Sequence, residues 1–158
     1  FEKNQYNILK MAVVFVKIFH VSGLQWIRVV NMKCYSLLVV DDDSRLREAL
    51  SRWFTMRGFH VDTAENGEVA LERCALKRYD VITMDLVMPG IDGAETASRI
   101  RVLHPDVPII MLSGYAGDAE RLHEAGFLEV LQKPIRMIEL EHKVRQAVSE
   151  GILEVGNG

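Results

Sequence analysis

Carboxylates, a hydroxyl and an ammonium recur in this chain directly after apolar runs. Asp41-Asp42-Asp43 follows Leu37–Val40, Asp85 follows Val81–Met84, Ser113 follows Val107–Leu112, and Lys133 comes just after Glu129–Leu131. If Asp41, Asp42 and Asp85 stand within ~4–5 Å of one another, each pair repels by up to ~4 kcal/mol at an effective dielectric of 20. Summed, that rivals the net stability of a whole domain, ~5–15 kcal/mol. A hard divalent cation relieves such a cluster. Mg²⁺ takes oxygen ligands in an octahedron at about 2.0–2.1 Å and keeps several waters. A hydroxyl can donate to one oxygen of a phosphoryl group and an ammonium can neutralise another. The bland alternative is that each Asp caps a helix or ends a turn, that Ser113 is a cap and that Lys133 is solvated. Asp43 or Ser44 is expected to cap in that way. Convergence of several strands on one edge favours the metal reading for the others.

The elements that must position these residues follow from the patterning. Strand-like runs are Leu37–Val40, His60–Thr63, Val81–Met84, Val107–Leu112 and Glu129–Leu131, with helix-like stretches between them. In Ser44–Arg57, Leu46, Ala49, Leu50, Trp53 and Phe54 fall on one helical face. Ser44 is a candidate N-cap and Gly58 a candidate C′ residue. Gly67–Arg78, Ala94–Leu103, Asp118–Ala125 and Met137–Ser149 are the other expected helices. Five strands alternating with five helices predict an α/β fold with a doubly wound parallel sheet. The nearly unbroken apolar strands suit burial on both faces. Right-handed crossovers bring every strand's carboxyl end to one edge, where ligands of such sheets bind.

The 158 residues suit one compact domain, and 49% apolar with 26% charged residues is ordinary for a globular protein. A net charge of −3 argues against nucleic acid as the main ligand. No helix-turn-helix or basic stripe remains once the helices are assigned to the sheet, and charged runs such as Arg45–Glu48 and Glu139–Lys143 read as solvated helix faces. Cys34 and Cys74 lack metal-site spacing and read as reduced thiols. His20, His60, His104, His123 and His142 show no metal-binding spacing and read as surface or packing residues. Residues 1–33 read as an N-terminal extension outside the core fold, 34–150 as the domain and 151–158 as a tail. Apolar runs in the extension are too short to span a bilayer, and no convincing cleavage site follows them. The expectation is a natural start at Met32; the rival is an amphipathic extension that docks on the domain or a partner.

Four segments together resemble response-regulator receiver domains of two-component signalling, of the single-domain chemotaxis type or the phosphorelay type. They are Leu38-Val39-Val40-Asp41-Asp42, Asp85-Leu86-Val87-Met88-Pro89-Gly90-Ile91-Asp92-Gly93, Ser113-Gly114 and Lys133-Pro134. The resemblance spans residues 36 to about 148. It implies a flavodoxin-like five-stranded sheet of order 2-1-3-4-5, and a signalling switch rather than an enzyme. Asp85 would be the phosphoacceptor, forming an aspartyl phosphate. Asp42, Asp85 and the backbone carbonyl of Val87 would bind Mg²⁺, with Asp41 at least through water. Ser113 and Lys133 would contact phosphoryl oxygens, and Pro134 would follow a cis peptide. The implied partners are a sensor histidine kinase or histidine phosphotransfer protein and a downstream protein target. Nucleic acid and membrane are not expected as partners, a phosphorylation-dependent homodimer is one expected form, and the cytoplasm is the expected location.

One position departs from the family. Receivers commonly carry Tyr or Phe three residues before the lysine, and here that position is Val130. The expectation is that phosphorylation persists while its readout relies on packing changes around Ser113–Gly117. A single-domain regulator or phosphorelay intermediate is favoured over a receiver cut from a larger protein. Two rivals remain. A pseudo-receiver interaction module would keep the fold without the chemistry. A haloacid-dehalogenase-type phosphatase would use Asp41-Asp42-Asp43, but leaves the Asp85 segment unexplained.

Overall fold

The computed structural model describes residues 15–20, 23–28, 34–115, 117–124, 127 and 129–153. It divides into two units, Phe1–Cys34 and Tyr35–Gly158. In the first, β1 (Phe15–His20) and β2 (Gly23–Arg28) pair antiparallel as a hairpin. The sequence pattern predicts no element there, and the expected natural start at Met32 falls on a residue outside those described.

The second unit alternates β3 (Ser36–Val40), α1 (Ser44–Thr55), β4 (His60–Ala64), α2 (Gly67–Leu76), β5 (Val81–Asp85), α3 (Gly93–Leu103), β6 (Ile109–Ser113), α4 (Asp118–Glu124), β7 (Val130–Gln132) and α5 (Met137–Leu153). The strands form one parallel sheet of order β4-β3-β5-β6-β7. Numbered within the sheet alone, that is 2-1-3-4-5, the expected order.

Both faces are covered, which is why the central strands are apolar throughout. On one face Leu38, Val40, Ile82, Met84 and Met111 pack with Ala70, Cys74, Ala97, Ile100, Leu122 and Phe127, from α2, α3, α4 and the loop after α4. On the other, Leu37, Val39, Val81, Ile110, Leu112 and Leu131 pack with Leu50 and Phe54 of α1 and Leu140, Val144 and Val148 of α5. Arg57 stacks its guanidinium 3.3 Å from the Trp53 ring and pairs with Glu141, tying the end of α1 to α5.

Several boundaries differ from expectation for local reasons. Asp43, not Ser44, caps α1: its carboxylate accepts from the N–H groups of Arg45 and Leu46. The helix stops at Thr55, and Gly58 adopts φ +85° just beyond, as a C′-type residue does. Helix α2 ends at Leu76, and Asp92 caps a helix that begins at Gly93. Val107 and Pro108 precede β6 because Pro108 has no N–H for the ladder, although its carbonyl accepts from Ile82 at 3.0 Å. Helix α5 continues to Leu153, past the expected end at Ser149.

Candidate functional site

Parallel strands deliver their last residues to one edge, and side-chain alternation decides which face of that edge each residue meets. Asp41 follows Val39, Asp85 follows Thr83 and Lys133 follows Leu131 on the α1/α5 face. The structure brings these together. Lys133 Nζ lies 2.9 Å from Asp41 Oδ2 and 2.9 Å from Asp85 Oδ2. One carboxylate oxygen each from Asp41, Asp42 and Asp85 lies within 4.8 Å of the others. Asp41 is fully buried, Asp85 nearly so, and Asp42 exposed.

Asp41 is held on every side. Its Oδ1 accepts from the Asp43 N–H at 2.9 Å, its Oδ2 takes Lys133, and its carbonyl accepts from Arg47 Nη1 at 2.7 Å. The sequence pattern puts Arg47 on a solvated helix face, whereas in the structure it reaches back from α1 to the acidic loop. Its place six residues after Asp41 gave no clear signal, because only the turn into α1 folds it back.

Asp85 sits differently. Burial pushes its carboxyl pKa above the ordinary value and the charge of Asp41 adds to this, while Lys133 and the Val87 N–H oppose it. Lys133 is displaced upward too: burial works against its charge, and hydrogen bonds to Asp41 and Asp85 outweigh that. The two directions agree physically. One ammonium is shared between two carboxylates, so it is held strongly while Asp85 is incompletely neutralised.

The segment after Asp85 is closely packed. The Gly93 N–H donates to the Leu86 carbonyl at 2.9 Å, and a Cβ at Gly93 would lie 2.0 Å from the Asp85 carbonyl oxygen. Only glycine lets α3 start so close to the strand end. Val87 is 70% exposed, and its N–H reaches the Asp85 carboxylate. The Lys133–Pro134 peptide is cis.

Ser113 is the residue the structure sets apart. It leaves β6 on the face of Met111, opposite to the Asp85 side chain. Its carbonyl accepts from the Lys133 N–H at 2.6 Å, but its hydroxyl turns to Asp118 at the start of α4. The sequence pattern marks Asp118 only as the first residue of a helix. Val130 is half-buried against the cluster that contains Met111, and Phe127, 2% exposed, lies in the same cluster under the Arg101 guanidinium at 4.3 Å.

The donor set suits a hard cation. It is all oxygen, it carries more negative charge than Lys133 neutralises, and it spans a size close to an octahedral Mg²⁺ site, in which opposite ligands stand about 4.2 Å apart. No described helix is long and apolar enough to cross a membrane.

Comparison with known proteins places this arrangement. The family model for the response regulator receiver domain matches residues 37–145. Response regulator MprA of Mycolicibacterium vanbaalenii is 34% identical over 124 residues, covering 77% of this chain and 54% of that protein. Response regulator MprA of Mycobacterium ulcerans is 36% identical over 120 residues, covering 75% and 52%. The chain thus spans about half the length of these curated relatives. Among solved structures, the response regulator TrrA of Thermotoga maritima, in complex with Mg²⁺ and BeF, is 37% identical with a TM-score of 0.66, covering 72% of this chain and 98% of that one. The receiver domain of the Francisella response regulator 1452 is 27% identical with a TM-score of 0.69, covering 73% and 98%. Sheet order, motif residues and the match across the second unit together make the chain a member of the response regulator receiver domain family.

Proposed function

We propose that this chain is a phosphoacceptor switch in which Asp85 takes a phosphoryl group and thereby alters a protein-interaction surface. The observation that carries this is the shared Lys133, 2.9 Å from both Asp41 and Asp85 at the edge of the sheet. A carboxylate is a weak nucleophile, but phosphoryl transfer asks mainly for positioning and charge neutralisation. The Asp85 carboxylate attacks the phosphorus of the donor, and the bond from phosphorus to the donor breaks. Lys133 stands ready to neutralise an oxygen of the arriving group. The Val87 N–H orients the acceptor carboxylate.

Mg²⁺ is the proposed cofactor, held by Asp42, Asp85 and the Val87 carbonyl. When bound it neutralises the carboxylates and the charge on the transferring group. Both oxygens of Asp41 already have protein donors, which supports its contact through water. Donors of matching chemistry are a phosphohistidine on a sensor kinase or phosphotransfer protein, and small acyl phosphates. A downstream protein target, a cytoplasmic location, self-association on phosphorylation and a switch rather than an enzyme belong to the same proposal. The unit Tyr35–Gly158 is its proposed seat, with residues 1–33 as an appendage.

Intact mass after incubation with acetyl phosphate and Mg²⁺ tests the reading. One phosphate is expected on wild type and none on Asp85→Asn. A folded wild type that gains no mass from acetyl phosphate or from a phosphohistidine donor would refute it and leave the pseudo-receiver reading.

A further inference from the structure

A serine hydroxyl has one proton to give and two lone pairs to receive with. At Ser113 the Tyr115 N–H donates to Oγ at 3.1 Å. The proton goes to Asp118 Oδ2, with the Tyr115 carbonyl at 3.1 Å as the weaker alternative. Asp118 opens α4, and its own N–H donates to the Tyr115 carbonyl at 3.1 Å. A hydroxyl bonded to a carboxylate is charge-assisted and roughly twice as strong as a neutral pair. One proton cannot serve two anions. For Ser113 to donate to a phosphoryl oxygen at Asp85, it must first leave Asp118.

We propose that Asp118 is a positioning residue, a latch that holds the Ser113 hydroxyl on the first turn of α4 until a phosphoryl group on Asp85 competes it away. The inference rests on the receiver reading and deepens it. The contact joins the site edge directly to α4, on the side of the sheet where Val130 fills the position that receivers commonly give to an aromatic ring. In this chain the hydroxyl's change of partner reports phosphorylation to α4 without a moving ring. No covalent bond is made or broken in the switch: the O–H turns from one anionic acceptor to another, and the first turn of α4 gives up this hydrogen bond to Ser113.

The latch makes phosphoryl binding work against a stored contact, so removing it should tighten binding. The test is calorimetric titration of the Mg²⁺-loaded chain with beryllofluoride, and separately of the metal-free chain with Mg²⁺ alone. Wild type, Asp118→Ala, Asp118→Asn, Ser113→Ala and the Ser113→Ala/Asp118→Ala double variant are compared. Asp118→Ala is expected to bind beryllofluoride roughly tenfold tighter, the size of one charge-assisted hydrogen bond. Asp118→Asn, whose amide oxygen still accepts, should gain less, and Mg²⁺ affinity should not move. In the Ser113→Ala background the gain should vanish. Equal affinity of wild type and Asp118→Ala overturns the latch, as does a gain that survives in Ser113→Ala, because that gain comes from removing a negative charge. Lost Mg²⁺ affinity in both Asp118 variants also overturns it, by making Asp118 part of the metal site or the fold. A wild type that takes up no beryllofluoride strikes the receiver reading itself and the latch with it, which separates the two failures.

Discussion

Two aspartates in this domain each face a lysine, and although burial raises both, their neighbours give net shifts in opposite directions. Asp62, on the edge strand β4, accepts at Oδ2 from Lys77 Nζ at 2.7 Å and from the Tyr79 hydroxyl at 2.8 Å. Burial acts to raise its pKa, but those hydrogen bonds and the charges of Lys77 and Arg73 outweigh it, so the net shift is downward. Asp85, on the central strand β5, shares its lysine with Asp41, and its net shift is upward. The side chain of Asp62 is 34% exposed and that of Asp85 8%. The first site has donors in excess and is complete as it stands. The second has carboxylates in excess of its one lysine, which costs the folded domain stability that a bound cation would return.

The largest effect that would sharpen this contrast comes from removing the shared cation. Without metal, Lys133→Met leaves two buried carboxylates unpaired and should cost about 3 kcal/mol in urea unfolding. Mg²⁺ should restore part of the loss. A neutral result would mean that the pair is already screened by solvent.

Removing a carboxylate from the crowded site should do the reverse. Metal-free Asp85→Asn is expected to be more stable than wild type, by an amount on the order of 1 kcal/mol. Mg²⁺ at about a hundred times its Kd should then add about 2.7 kcal/mol to wild type and less to the variant. The same order of stabilities with and without Mg²⁺ would break the comparison.

At the complete site the sign changes. Asp62→Ala takes the acceptor from the buried Tyr79 hydroxyl and should cost about 1 kcal/mol, with no dependence on Mg²⁺. A stabilising result, or one that varies with Mg²⁺, would show that Asp62 is not the saturated partner of the contrast.

The smallest effect is in the pH dependence. Asp62 has a lowered folded pKa, so its contribution is present above the ordinary 3.8 and is lost as pH falls through the lower folded value. Asp85 has a raised folded pKa. Its ionised form therefore costs stability above that value, and the cost is gone once pH falls to 3.8. As pH falls, the gap between wild type and Asp85→Asn should narrow before pH 3.8 is reached, whereas the charge-dependent part of the gap between wild type and Asp62→Ala should narrow only below pH 3.8. Thermal unfolding across acid pH in metal-free buffer reads both windows; narrowing of both on the same side would contradict the assignment.

Much of this was legible beforehand. The nearly unbroken apolar runs before Asp41, Asp85 and Ser113 mark strands buried on both faces, and alternation with amphipathic helices leaves few sheet topologies open. Strand ends were less legible: Val107 and Pro108 look like strand until the missing N–H of Pro108 is counted. The hairpin Phe15–Arg28 escaped because short mixed runs give no clear period.

By itself the sequence determined which residue types arrive at the sheet edge, since alternating strands and helices joined by right-handed crossovers bring every strand's carboxyl end to one side, whatever the strand order. It determined the acidic excess, the lysine and the departure at Val130. Only the tertiary structure decided how those groups divide. Lys133 bridges Asp41 and Asp85, Arg47 folds back to the Asp41 carbonyl, and the Ser113 hydroxyl turns away to Asp118. The reason is that a strand's pleat assigns a residue to a face, but the loop that follows assigns its hydrogen-bond partner. Those partners come from segments distant in sequence or folded back by a turn, and no periodicity records them.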